Sequence, residues 1–219
     1  MELNTIIETL KLNKKEKNII VLASRPAMGK SSLAMKIAVS FIQSEKKAVG
    51  YFSLEMSEEN FNKRLTTISD KGVMESLHDK LYVIDDSDSD QLELITSIKE
   101  INGKDQLGLV VIDYIQLMRC YFCDKKLEVI MSELVLISHE LNLPILILSQ
   151  LNRGVEGRDE KRPQISDLDE SRELVDFSDT VMFLYRDNYY GHENSQYSQA
   201  ELIIAKSEGY SHTIKFELF

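Results

Sequence analysis

Short apolar runs rich in β-branched residues, each followed by a stretch of helical periodicity, constrain this chain more than any other feature. Asn18-Ile19-Ile20-Val21-Leu22-Ala23 is the first of them. It lacks polar alternation, which suits a strand buried on both faces of a parallel sheet. Ser24 to Gly29 reads as a turn and Lys30 to about Ser44 as a helix. Ala48 to Leu54 is the next strand, and Ser57 is a plausible N-cap for a helix with Glu58 and Glu59 in its first turn. Further strands are expected at 80–84, 109–112, 145–148 and 180–184, with helices at about 91–101 and 127–141 between them. Strands alternating with helices of this length imply βαβ units and an α/β fold, a mostly parallel central sheet flanked by helices. The segments 200–205 and 212–219 read as an antiparallel C-terminal hairpin.

The length of 219 residues suits one well-buried domain, and a single domain over 1–219 is the expectation. No apolar run approaches the roughly 20 residues of a membrane span. The start Met1-Glu2-Leu3-Asn4-Thr5 has no basic segment before an apolar core, so it does not read as a secretory signal. Two cysteines exclude a disulfide-dense secreted scaffold and point to the cytoplasm. The net charge of -10 argues against a protein that grips nucleic acid over a broad surface, though a local basic channel is compatible with it.

Gly29-Lys30-Ser31 lies between a buried strand and a helix, the context a phosphate-binding loop requires. Gly29 admits close backbone approach, Lys30 reaches the β- and γ-phosphates, and the Ser31 hydroxyl is a ligand for Mg2+. The helix that follows adds free N–H groups and the positive end of its dipole. Ser24 stands where such loops usually begin with glycine. Two carboxylates complete the set. Asp113 ends an apolar run and should emerge at the C-terminal edge of the sheet to hold the metal. Glu55 follows the strand before it and is the candidate general base. Gln150, after the run ending at Leu148-Ser149, is the candidate sensor of the γ-phosphate.

These residues sit in segments that resemble the DnaB-type replicative DNA helicases. Arg25-Pro26-Ala27-Met28-Gly29-Lys30-Ser31 resembles the family's P-loop. Phe52-Ser53-Leu54-Glu55-Met56-Ser57 is similar to its catalytic-glutamate segment, and Val111 to Met118 to its Walker B strand. Ser149 to Arg153, Lys161 to Leu168 and Phe183 to Asp187 match further segments in the family's order. The resemblance implies a RecA-like P-loop NTPase fold, ATP with Mg2+, and a homo-hexameric ring translocating 5′-to-3′ on single-stranded DNA among replication proteins. It implies that Lys30, Ser31, Asp113, Glu55 and Gln150 take the roles above, with Ser24, Arg25, Pro26, Ala27, Met28, Gly29 and Ser32 lining the nucleotide. Arg64 matches a nucleotide-side arginine, and Lys206 a lysine that reaches a neighbouring subunit's site.

Departures from the family pattern motivate an alternative: a truncated or degenerate paralogue that binds ATP and a partner ring without unwinding DNA. The family's N-terminal collar domain and linker helix are expected to be absent, so a monomer in isolation stands beside the hexamer. The stretch between Arg64 and Leu81 is shorter than is usual for the family. Glu208 stands where the family has an arginine finger, two residues after Lys206. Asp169 replaces a basic residue in a loop that faces the family's central channel. The other channel loop, Arg119 to Lys126, is short. Its Cys120 and Cys123 have metal-ligand spacing but no second pair, so they read as loop thiols. Tyr121 and Phe122 are candidates for stacking on bases or closing the loop onto the core.

Overall fold

The structure is a computed structural model that describes residue 6, 19–69, 73, 77, 79–85, 88–120, 125–190, 199–207 and 211–218, without the side chains of Asp169 and Glu170. Eight strands form one sheet: β1 (Ile19–Ser24), β2 (Ala48–Ser53), β3 (Leu81–Ile84), β4 (Leu107–Asp113), β5 (Ile145–Gln150), β6 (Thr180–Tyr185), β7 (Gln199–Lys206) and β8 (His212–Glu217). Their order is β3-β2-β4-β5-β1-β6-β7-β8. The strands from β3 to β6 in that order pair in parallel, and β7 and β8 add in antiparallel fashion. The expected parallel sheet and C-terminal hairpin are both present.

Alternation along the central strands sorts side chains to two faces. Ile20, Leu22, Leu146 and Leu148 join Leu33, Ile37, Phe41 and Phe61 in one core. Those partners come from α1 (Lys30–Glu45) and α2 (Glu58–Ile68). Val21, Val110, Ile112, Ile145 and Ile147 face the opposite core with Leu94, Ile98, Ile130, Leu134 and Leu174. These partners belong to α3 (Gln91–Lys104), α4 (Lys126–Leu141) and the short α5 (Arg172–Asp176). Burial on both faces explains why the strands read as continuous apolar runs.

The boundaries differ from the sequence expectations where polar or small residues continue a strand. β5 runs on through Ser149 to Gln150 because it pairs with β1 up to Ser24↔Gln150. β4 begins at Leu107 and includes Gly108, where an added Cβ would lie 2.7 Å from the Phe41 ring and from the Lys47 stem. That glycine lets α1 close onto the sheet. The 3-10 turns at Arg153–Gly157, Ile165–Ser171 and Asp187–Tyr190, and α5 itself, have no strong periodicity and were not anticipated. Among the described residues no helix is long and apolar enough to cross a membrane.

Ser57 caps α2 as expected, accepting from the Asn60 N–H at 3.4 Å. Asp90 caps α3 through a capping box with Glu93. These caps fix where the helices begin relative to the strand ends above them.

Candidate nucleotide-binding site

The parallel strands end on one edge of the sheet, and the loops leaving that edge enclose a cavity of about 880 Å³. Its size falls in the roughly 300–1,000 Å³ range of small-molecule sites. One wall is the loop between β1 and α1, with Ser24, Arg25, Pro26, Ala27 and Gly29. Lys30, Ser31 and Ser32 form its floor at the start of α1. Glu55 and Met56 come from the end of β2, and Gln150 from the end of β5. Asn60, Lys63, Arg64, Thr67 and Ile68 on α2 close the far side.

The loop backbone is shaped for an anion. Gly29 has φ 96°, a left-handed conformation that glycine adopts without steric cost. Ala27 also lies in this region, at φ 61°. Gly29 caps α1 with no side-chain hydrogen bond, and the first turn holds no acidic residue. The N-terminal N–H groups of a 16-residue helix therefore face the cavity without a carboxylate competing for them. Arg25, Lys30, Lys63 and Arg64 face the cavity against one carboxylate, Glu55. Two of these cations are paired with carboxylates outside the lining, Arg25 with Glu156 and Lys63 with Glu59.

Lys30 donates to the Ser149 carbonyl at 3.1 Å, and its ammonium lies 4.9 Å from the centre of the Tyr114 ring. Burial lowers its pKa below the ordinary lysine value, and the charges of Asp113 and Glu55 pull it back up. Asp113 is 1% exposed. Its Oδ2 accepts from the Tyr51 hydroxyl at 2.9 Å, while Oδ1 is buried with no hydrogen-bond partner. Burial, then the Asp113 charge and this hydrogen bond, push the Tyr51 pKa well up, so Tyr51 stays a donor. An unpartnered buried carboxylate oxygen beside a phosphate loop fits a magnesium site. Among the described residues no group of three or more His, Cys, Asp or Glu could hold a metal.

Glu55 differs from Asp113 in being exposed at the cavity rim. The register Ser53↔Asp113 sets the two acids on adjacent strand ends. Arg25 lines the cavity, but its guanidinium is bonded to Glu156 at 2.6 and 2.9 Å and to the Leu151 carbonyl at 2.6 Å. It ties the phosphate loop to the segment after β5.

Two expected positions lie apart from the cavity. The Met28 side chain is 1% exposed and packs in the core, leaving only its backbone to face a nucleotide. Lys206 pairs opposite Val181 near the start of β6, the far edge of the sheet. Its ammonium donates to the Val175 and Ser178 carbonyls of its own chain. Motif position carries no information about side-chain direction, so the Met28 expectation extends to its backbone alone, while the expectation for Lys206 concerns a neighbouring subunit's site. Cys120 is disulfide-bonded rather than a free thiol. Tyr121, Phe122, Cys123 and Glu208 lie outside the described residues, as does the Asp169 side chain.

Sequence reasoning passed over Gln116. Its amide donates to Ser149 Oγ at 2.7 Å and to the Gln150 carbonyl at 3.1 Å, and its oxygen accepts from the Gln150 N–H at 3.3 Å. A polar residue three positions after the end of a strand carries no signal of such a bond. Only the pairing of β4 with β5 reveals it.

Comparisons with known proteins agree with this geometry. The model of the DnaB-like helicase C terminal domain matches residues 3–78 and 67–218. The probable plasmid replicative DNA helicase of Chlamydia psittaci is 32% identical over 230 positions, covering 91% of this chain and 49% of that protein. The replicative DNA helicase DnaC of Bacillus subtilis is 34% identical, covering 86% of this chain and 47% of that one. The chain thus spans about half the length of the curated relatives it matches. The first alignment is longer than the 219 residues of this chain, so that relative carries residues lacking here. The two pieces of the family match overlap at 67–78, within the stretch expected to be short. A DnaB-like replicative helicase solved for its interactions with primase superposes with a TM-score of 0.76 at 28% identity, over 90% of this chain and 54% of that one. A KaiC-like protein from Pyrococcus horikoshii, at 12% identity and a TM-score of 0.66, shares the fold alone. The sheet is that of a RecA-like ATPase, and the chain belongs to the DnaB-like helicase C terminal domain family.

Proposed function

We propose that this chain is the ATP-binding and ATP-hydrolysing core of a DnaB-like replicative helicase, whose turnover drives movement along single-stranded DNA within a homo-hexameric ring. The observation that carries the reading is the convergence of the phosphate loop, Glu55, Arg64 and Gln150 on one cavity, with Asp113 buried beside it.

The N–H groups of α1 and the Lys30 ammonium hold the triphosphate, and Arg64 lies on the nucleotide side. Ser31 and Asp113 Oδ1 would hold Mg2+, which would supply charge neutralisation for the phosphates. Glu55, exposed at the rim, takes the proton of a water that attacks the γ-phosphorus. The bond to the β–γ bridging oxygen breaks, leaving ADP and phosphate. Such a base typically contributes about 10²–10⁴-fold. Gln150 senses the γ-phosphate through its amide, and Lys206 serves a neighbouring subunit's site.

ATP turnover by the chain, with and without single-stranded DNA, tests this reading. Turnover that rises with DNA and vanishes in Lys30→Ala supports it, and no nucleotide binding at all sinks it. The mass of the particle with ATP tests the ring. One observation favours the alternative, a paralogue that binds ATP without unwinding DNA: Lys206 is bonded within its own chain, and Glu208 follows it. Glu208→Arg restores turnover under that reading and leaves it unchanged under the first.

A further inference from the structure

A second cavity, about 320 Å³, adjoins the first, and Gln150 lines both. Tyr114, Gln116 and Asn152 are among its other walls. The partition between the two spaces is the end of β5, Ser149 and Gln150, with the side chain of Gln116 laid across it. Ser149 is fully buried and serves two partners: its carbonyl accepts from Lys30 at 3.1 Å and its hydroxyl from Gln116 at 2.7 Å. Gln150 exchanges both its backbone groups with the Gln116 amide. The Gln116 backbone carbonyl accepts from the Lys126 ammonium at 3.1 Å, at the first residue of α4.

A strand end is the least restrained part of a sheet, because its ladder stops there. β4 pairs with β5 only as far as Ile112↔Ile147, so Ser149 and Gln150 have no ladder partner on the β4 side. Gln116 fills that place with side-chain bonds. We propose that Gln116 is a positioning residue for phosphoryl transfer, which holds the Ser149–Gln150 backbone so that Lys30 and the Gln150 amide address one phosphate together. The inference rests on the ATPase reading. It adds a residue that touches neither nucleotide nor metal and acts through two groups that do.

The test compares Gln116→Leu, Ser149→Ala and the double variant in the full chain, with rates expressed per site that binds a fluorescent ADP. That normalisation removes any unfolded fraction. A displaced catalytic group costs up to about 10²-fold, so Gln116→Leu is expected to lower kcat by about tenfold or more. ADP affinity stays within about twofold, while a non-hydrolysable triphosphate analogue loses more, because only the triphosphate meets Gln150. Ser149→Ala has a smaller effect, since the bonds to Gln150 survive, and the double variant is no slower than Gln116→Leu. A kcat within about twofold of the parent, or fully additive effects in the double variant, overturns the inference. If Gln116→Leu does not fold, Gln116→Glu keeps the acceptor for the Gln150 N–H and loses both donors, and the same criteria apply. Absence of ADP and ATP binding by the parent chain overturns the ATPase reading itself and this inference with it.

Discussion

Lys30 and Lys206 both rest their ammonium groups on backbone carbonyls, at opposite edges of the same sheet. Lys30 has one carbonyl, two carboxylates acting on it and an open cavity in front of it. Lys206 has two carbonyls near the end of α5 and does not line the cavity. The contrast teaches that a lysine is poised for a ligand when its local hydrogen bonds are incomplete and the groups around it leave room for one. In the single chain Lys206 has two of its three donors met by backbone carbonyls, and there it stabilises the fold.

The largest test of this contrast is Lys30→Ala, which should abolish measurable ATP turnover and triphosphate binding. Lys206→Ala should leave nucleotide binding by a single chain unchanged, read by titration with a fluorescent nucleotide. Equal losses in the two variants would break the comparison. Glu55→Gln comes next: kcat falls by about 10²–10⁴-fold while nucleotide affinity holds, checked by single-turnover hydrolysis against equilibrium binding.

A pH series sharpens the same point. Burial lowers the Lys30 pKa in the folded chain, so the unfolded chain binds the proton more strongly. The destabilisation from Lys30 is therefore fully present below the folded value. It fades as pH rises toward the unfolded value near 10.5. Thermal melts of the nucleotide-free chain should show stability rising through that window, and Lys30→Met should flatten the rise. Phosphate beside Lys30 favours its charged form, so nucleotide binding should take up protons in the alkaline range. Calorimetry in buffers of different ionisation enthalpy measures that uptake.

The smallest effect expected is on stability alone. Lys206→Met removes hydrogen bonds from a charged donor, worth about 1.5–3 kcal/mol each before its partial exposure reduces the loss. A fall in Tm of a few degrees without change in nucleotide affinity is the expected result. A weakened affinity in the isolated chain would place Lys206 in the site of its own subunit.

The strands and the phosphate loop were legible because their signals are local. An apolar run buried on both faces, a turn, then Gly29-Lys30-Ser31 opening a helix reads correctly without tertiary knowledge. The segment from Leu151 to Asp176 was illegible for the opposite reason. Its 3-10 turns are tied by ion pairs, Arg25 with Glu156 and Arg162 with Glu201 across 131 and 39 positions, and Arg158 with Asp167 across 9. Gln116 stayed hidden because its partners lie 33 and 34 positions away in the chain.

From sequence alone came the fold class, the family resemblance and the candidates for the acids, the lysine and the phosphate loop, since period and motif spacing are properties of the chain in one dimension. Tertiary structure alone decided which of those residues meet. Strand order put Asp113 and Glu55 on neighbouring ends, buried one and exposed the other. It also turned Met28 into the core, sent Lys206 to the far edge and brought Gln116 against Gln150. Direction and burial depend on what packs on the other side, and a linear pattern cannot carry that.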